Sequence, residues 1–230
     1  MGLWLSINLA LLLMAYLLGS IPSGYVAGRL LKGIDLRQEG SGSTGATNVL
    51  RTLGKGPALV VLLADMGKGA LAIACVGWVY SLANIENFTP ASVNPEILPY
   101  WMTTFTGLAA IVGHSKSIWL NFQGGKSAAT SLGILFAIYW PVGLATLGIF
   151  LAVLGIFQIV SISSMAAAIA CSGLMIFLHQ PLPYQLFATL GGLYVIWLHR
   201  SNIQRLLAGT EPKLGEKLAQ NKTKQELTSS

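Results

Sequence analysis

From Ser127 to His199 the chain carries no Asp, Glu, Lys or Arg. A stretch of that length without charge cannot be the surface of a water-soluble domain. At about 20 apolar residues per bilayer crossing, it holds more than one span. Comparable apolar segments recur upstream, and together they lie at approximately 3–27, 57–80, 97–113, 127–139, 141–158, 161–178 and 183–198. The chain is 53% hydrophobic and 10% charged, with a mean hydropathy of +0.65. The fold class is therefore all-α, a polytopic membrane protein whose stability depends on packing between spans.

Charge placement predicts the number of crossings. All but Lys68 of the 14 Lys and Arg residues fall in three regions. Arg29, Lys32, Arg37, Arg51 and Lys55 form the first, Lys116 and Lys126 the second. Arg200, Arg205, Lys213, Lys217, Lys222 and Lys224 form the third. The loop 81–96 carries Glu86 and Glu96 but no basic residue. Basic loops share the cytoplasmic side, so the crossings between them must be even in number. Seven spans satisfy this if the 127–158 run breaks at "YWPVG" (Tyr139–Gly143), where Pro141 cannot continue a helix cleanly. The first run, Gly2–Leu18, has no Lys or Arg before it, so it reads as a permanent span with its N-terminus outside. The net charge of +6 follows from this sidedness and does not call for a nucleic acid partner. Cys75 and Cys171 both lie in apolar runs and read as packing residues. Residues 1–211 form one transmembrane domain, and 212–230 read as a polar, flexible cytoplasmic tail.

"GSGSTGATNVLR" (Gly40–Arg51) contains G-x-G-x-x-G. A dinucleotide fingerprint requires a preceding strand inside a βαβ unit, which has no room between two membrane helices. The stretch reads instead as a phosphate cradle. Gly42 and Gly45 free the backbone to turn its N–H groups inward, Ser41, Ser43, Thr47 and Asn48 supply polar side chains, and Arg51 supplies a planar cation. "ATNVLR" opens a helical pattern whose N-terminus favours an anion. "FQGGKSAAT" repeats the theme with Gly124, Gly125, Lys126, Ser127 and Thr130 at another helix start. It lacks the first glycine and the strand of a P-loop. "DMGKG" puts Asp65 and Lys68 on one helix face inside a span, where they should pair or face a wet cavity. His114 is an acid/base candidate or a hydrogen-bond post. In "HRSNIQRL", His199 and Asn202 share a face if the last helix continues, with Arg200 and Arg205 as headgroup or phosphate contacts.

Several signatures are missing. There is no D-x-x-D, no G-x-S-x-G and no H-x-x-x-x-D, since Trp119, Tyr184 and Gln204 stand five residues after the three histidines. The chemistry expected is metal-free anion chemistry at the cytoplasmic membrane face.

"GSIPSGY", "GSGSTGATNVLR", "DMGKG", "GH…FQGGKSAAT" and "HRSNIQRLLAGTE" occur in the order seen in bacterial acyl-phosphate:glycerol-3-phosphate acyltransferases, and the chain resembles that family to about Glu211. The resemblance implies a seven-helix enzyme of the bacterial inner membrane. Its partners would be acyl phosphate, glycerol 3-phosphate, membrane lipid and an upstream enzyme that makes acyl phosphate, with no cofactor. It implies catalytic roles for Arg51, Lys126, His199 and Asn202, binding roles for Ser41, Thr47 and Asn48, and lysophosphatidic acid as product. Two positions depart from the family pattern: Ser43 stands where Asn is usual, and Ser127 replaces the glycine of G-G-K-G. The alternative from another class is a transporter for glycerol 3-phosphate or a similar anion, built on cationic half-helix ends.

Overall fold

The structure, a computed structural model, describes residues 2–83, 85–214 and 216. Most of the 212–230 tail, with Lys217, Lys222 and Lys224, lies outside the described residues. Among the described residues the chain is helical, with no strand. Four stretches are long and apolar enough to cross a membrane: Gly2–Lys32, Lys55–Ala83, Ala128–Phe157 and Val160–Phe177.

The first of these is interrupted, a correction to the continuous 3–27 segment. α1 (Gly2–Ser20) ends before Ile21–Pro22, and α2 (Ser23–Lys32) begins after it. Pro22 has no N–H and its ring obstructs the preceding turn, so α1 stops and the carbonyls of Ser20 and Ile21 lack the N–H four residues on that a continuous helix would give them. Ser117 Oγ donates to the first at 2.6 Å and Lys68 Nζ to the second at 2.9 Å. α2 is two-faced and ends at Gly33 in the left-handed region. A loop then leads to α3 (Ala46–Leu53) and to α4 (Lys55–Ala83).

α5 (Leu98–Ser115) starts with a proline in its first turn, where a missing N–H is harmless. α6 (Ala128–Phe157) is two helices in one. Tyr139 leaves helical geometry (φ −155°, ψ 91°) just before Pro141, as the sequence predicts. Residues seven apart in a straight helix are separated by about 10 Å along the axis. A Cβ on Gly143 would instead lie 3.2 Å from the backbone nitrogen of Phe136, so the chain doubles back here. α7 (Val160–Phe177), α8 (Leu182–Leu198) and the short α9 (Arg200–Leu207) follow.

The long helices close into a ring: α4 packs on α5, α5 on α8, α8 on α7, α7 on α6, and α6 on α4, while α1 packs from outside on α5 and α4. Two crossings are close enough that a methyl group would strike backbone. Gly19 and Gly113 face Ala110 and Tyr16 between α1 and α5, and Gly69 and Gly133 face Thr130 and Met66 between α4 and α6. In lipid, where apolar side chains gain little by leaving the solvent, such backbone approach supplies dispersion energy between helices. The outward faces carry exposed Leu9, Leu13, Leu59, Val60 and Ile169, as lipid contact requires.

Candidate active site

The ring encloses a cavity of about 480 Å³. Its polar end is lined by Ser41, Ser43, Gly45, Thr47, Asn48, Arg51, Lys126, Ser127, His199 and Asn202, ten of the residues singled out in the sequence. They come from the loop before α3, α3 itself, the loop before α6, and the α8–α9 junction. Two helix starts, those of α3 and α6, therefore open on one space, each with N–H groups that have no partner inside its helix.

The first loop is shaped by Asn48. Its Nδ2 lies within hydrogen-bond distance of the carbonyls of Leu36, Glu39 and Ser43, and its Oδ1 accepts the Ser41 N–H at 2.9 Å. Gly40 and Gly42 have φ of 55° and 70°, in the region that favours glycine. A Cβ on Gly40 would collide with Asn48 Oδ1. Asn48 thus holds the loop around itself, and its side chain is not free for a ligand. Ser43 Oγ accepts the Gly45 N–H at 3.3 Å, a role its short side chain can reach. Arg51 has no carboxylate partner among the described residues, and burial lowers its pKa without removing its charge.

Lys126 Nζ donates to Asn202 Oδ1. Asn202 Nδ2 donates to Glu211 Oε1 at 2.5 Å, which also accepts from Ser161 Oγ at 2.8 Å, while Arg205 Nε donates to Glu211 Oε2 at 2.7 Å. Burial pushes the Glu211 carboxyl up, but the three donors outweigh it and hold its pKa below the ordinary value. Burial, followed by the charges of Arg205, Arg51 and Arg200, brings the Lys126 ammonium down to about 8 against the opposing pull of Glu211. His199 Nδ1 sits 2.8 Å from the Val195 carbonyl, so this nitrogen carries the proton and Nε2 is left with a lone pair. Burial brings that imidazole down to about 4, with the Val195 carbonyl pulling the other way.

Not every expected residue reaches the cavity. Gly124 and Gly125 pack against His114, and Gly42 turns the loop by bonding Glu39. The Thr130 carbonyl meets Gly69 at the α4–α6 crossing. These four line no part of the cavity and shape the polar end from behind. Arg200 is exposed and stacks on Trp197, its guanidinium carbon 4.5 Å from the ring centroid. Arg205 reaches the network only through Glu211. Asp65 and Lys68 form the expected pair at 2.9 Å. Asp65 and His114 are also at the cavity wall. Glu211 and Ser161 were not anticipated as site residues. Glu211 is one of three acids in the tail, with Glu216 and Glu226, and its signal was its place at the end of "HRSNIQRLLAGTE", while Ser161 sits in an apolar run that offers none.

The other wall is apolar, built from Leu62, Leu132, Leu135, Leu147, Phe150 and Phe187 among others. Leu63 on α4 and Leu151 on α6 line it too and are more than half exposed, so the slot opens sideways toward lipid. An anion-binding end joined to a laterally open apolar slot suits an amphiphile with a phosphorylated head.

A family model described as glycerol-3-phosphate acyltransferase matches residues 9–209. A glycerol-3-phosphate acyltransferase of Nostoc sp. is 62% identical over 218 residues, 95% of this chain and 96% of the relative. The crystal structure of PlsY (YgiH), an integral membrane glycerol 3-phosphate acyltransferase in its glycerol 3-phosphate form, superposes with a TM-score of 0.79. It is 36% identical and the match covers 90% of this chain and 96% of that one. The lysophosphatidic acid form of that protein superposes at 0.76, with 35% identity and coverage of 90% and 94%. Helical fold and sequence thus agree, and the chain belongs to the glycerol-3-phosphate acyltransferase family, membrane-embedded acyltransferases of phospholipid synthesis.

Proposed function

We propose that this protein transfers a fatty acyl group from acyl phosphate to the 1-hydroxyl of glycerol 3-phosphate, releasing lysophosphatidic acid and phosphate. The observation that carries the reading is the joined cavity: Arg51 and Lys126 beside two helix starts at one end, an apolar slot at the other. Its other charges are spoken for, Asp65 by Lys68 and Glu211 by Arg205, so the anion end is net cationic. The glycerol 3-phosphate and lysophosphatidic acid forms of the similar PlsY support the same substrate and product here.

An acyl phosphate is a mixed anhydride and already activated. The glycerol oxygen attacks the acyl carbon, the new ester C–O bond forms, and the carbon–oxygen bond to phosphate breaks. The hydroxyl proton passes to the departing phosphate. His199 Nε2, neutral above about pH 4, accepts a hydrogen bond from the hydroxyl, aims it and relays its proton to the departing phosphate. Lys126 holds the phosphate of glycerol 3-phosphate and Arg51 that of the acyl donor, and both offset charge that develops in the transition state. Ser41, Ser43 and Thr47 add hydrogen bonds.

The doubled-back α6 supports seven crossings, with the N-terminus outside and the cavity's polar end on the cytoplasmic face of a bacterial inner membrane. An upstream enzyme that produces acyl phosphate is then the natural partner. The experiment is to give purified protein in lipid palmitoyl phosphate, or palmitoyl-CoA, with labelled glycerol 3-phosphate. Labelled lysophosphatidic acid from the first donor alone is the expected result. Label crossing a sealed vesicle without product would instead identify the transporter.

A further inference from the structure

Asp65, Lys68 and His114 have no task in that reaction, yet they are buried beside it. The Asp65 carboxylate is 1% exposed. Its Oδ1 accepts from Ser23 Oγ at 2.5 Å, lies 2.9 Å from Lys68 Nζ and stands 3.6 Å from His114 Nδ1. Lys68 in turn donates to the Ile21 carbonyl at the α1–α2 break. The unit therefore ties α2, α4 and α5 at one point.

The far edge of the His114 ring meets the loop before α6. A Cβ on Gly125 would fall on His114 Nε2, and one on Gly124 would strike the His114 carbonyl. Gly125 N–H donates to that carbonyl at 3.1 Å. The ring is thus wedged between the Asp65 carboxylate and the Gly–Gly turn, and the next residue is Lys126. On the other side of Lys126, Ser127 Oγ donates to the Ile111 carbonyl at 2.9 Å. The lysine is held between two fixed points on α5, one of which is the imidazole ring.

We infer that Asp65 and His114 are positioning residues for the substrate phosphate: through Gly125 they set where the Lys126 ammonium stands. The inference rests on the proposed role of Lys126. A backbone displacement of about 1 Å is enough to matter for a group that must meet a phosphate at hydrogen-bond distance. Without the ring, the turn settles toward α4 and carries Lys126 with it.

Steady-state kinetics in lipid test this with His114→Ala, His114→Phe and the double change Asp65→Asn/Lys68→Met, which removes both charges and leaves no lone buried ion. Wild-type turnover in the same assay reports on the proposed function separately, so the two ideas fail by different results. His114→Ala should raise KM for glycerol 3-phosphate about tenfold and leave KM for acyl phosphate within about twofold. His114→Phe refills the ring's volume and should recover most of that loss. The double variant should raise the same KM roughly threefold. An unchanged KM for glycerol 3-phosphate, an equal rise in both KM values, or a His114→Phe protein as impaired as His114→Ala overturns the inference. If His114→Ala does not fold, the double variant alone decides between the selective rise and either contrary result.

Discussion

At the scale of single residues, Lys126 and Ser127 show how a phosphate site is tuned by its surroundings. Lys126 is protonated below about 8 and loses its charge above it. Since the charged form holds the phosphate, kcat/KM for glycerol 3-phosphate should fall as pH rises through that value, which reports the free enzyme. Lys126→Arg keeps its charge far beyond this range, so its falling limb should move up or vanish. A limb that stays near 8 in that variant would assign the titration to another group. Ser127 stands at φ 61°, a conformation that suits glycine better than serine. The strain of about 1–2 kcal/mol is offset by the hydrogen bond to Ile111, worth about 1 kcal/mol. Ser127→Ala keeps the strain and loses the bond, and should destabilise by about 1 kcal/mol in detergent unfolding. Ser127→Gly loses both and should stay within about 1 kcal/mol of wild type.

At the scale of elements, the backbone approaches between helices are the sensitive points. Gly133 faces the Met66 carbonyl with no room for a side chain, whereas nothing lies within 4 Å of a Cβ on Gly148. Gly133→Leu should therefore lower stability by at least about 1–3 kcal/mol and reduce turnover, because it separates α4 from α6. Gly148→Leu should change neither measurably. Much of this layer was legible beforehand. Apolar run lengths located the long helices, Tyr139–Gly143 marked the turn inside α6, and "ATNVLR" announced α3. The break at Pro22 was not foreseen, because proline near the end of an apolar run leaves hydropathy unchanged and reveals itself only in where the freed carbonyls go. The site was legible as residue types and not as roles. Arg51, Lys126 and His199 could be named from their chemistry. That Asn48 serves the loop, or that Thr130 serves a crossing, depends on partners distant in sequence, and Glu211 gains its place from Ser161, fifty residues away.

At the scale of the whole molecule, the fold brings Arg51, Lys126 and, through Glu211, Arg205 together, one residue from each basic region, and the proposed topology puts them on the cytoplasmic side. Cysteines at Ser92 and Ser201, both exposed, should then lie on opposite sides of the membrane. In intact cells a membrane-impermeant maleimide should label Ser92→Cys readily and Ser201→Cys only after permeabilisation; the reverse pattern would invert the proposed topology. The gap flanked by Leu63 and Leu151 has a kinetic consequence. A tail that enters and leaves through the side of the protein is never counted per litre of water, only per area of leaflet. Adding inert phospholipid at constant protein should therefore slow the reaction by surface dilution of the acyl donor, while the soluble co-substrate keeps its ordinary concentration dependence.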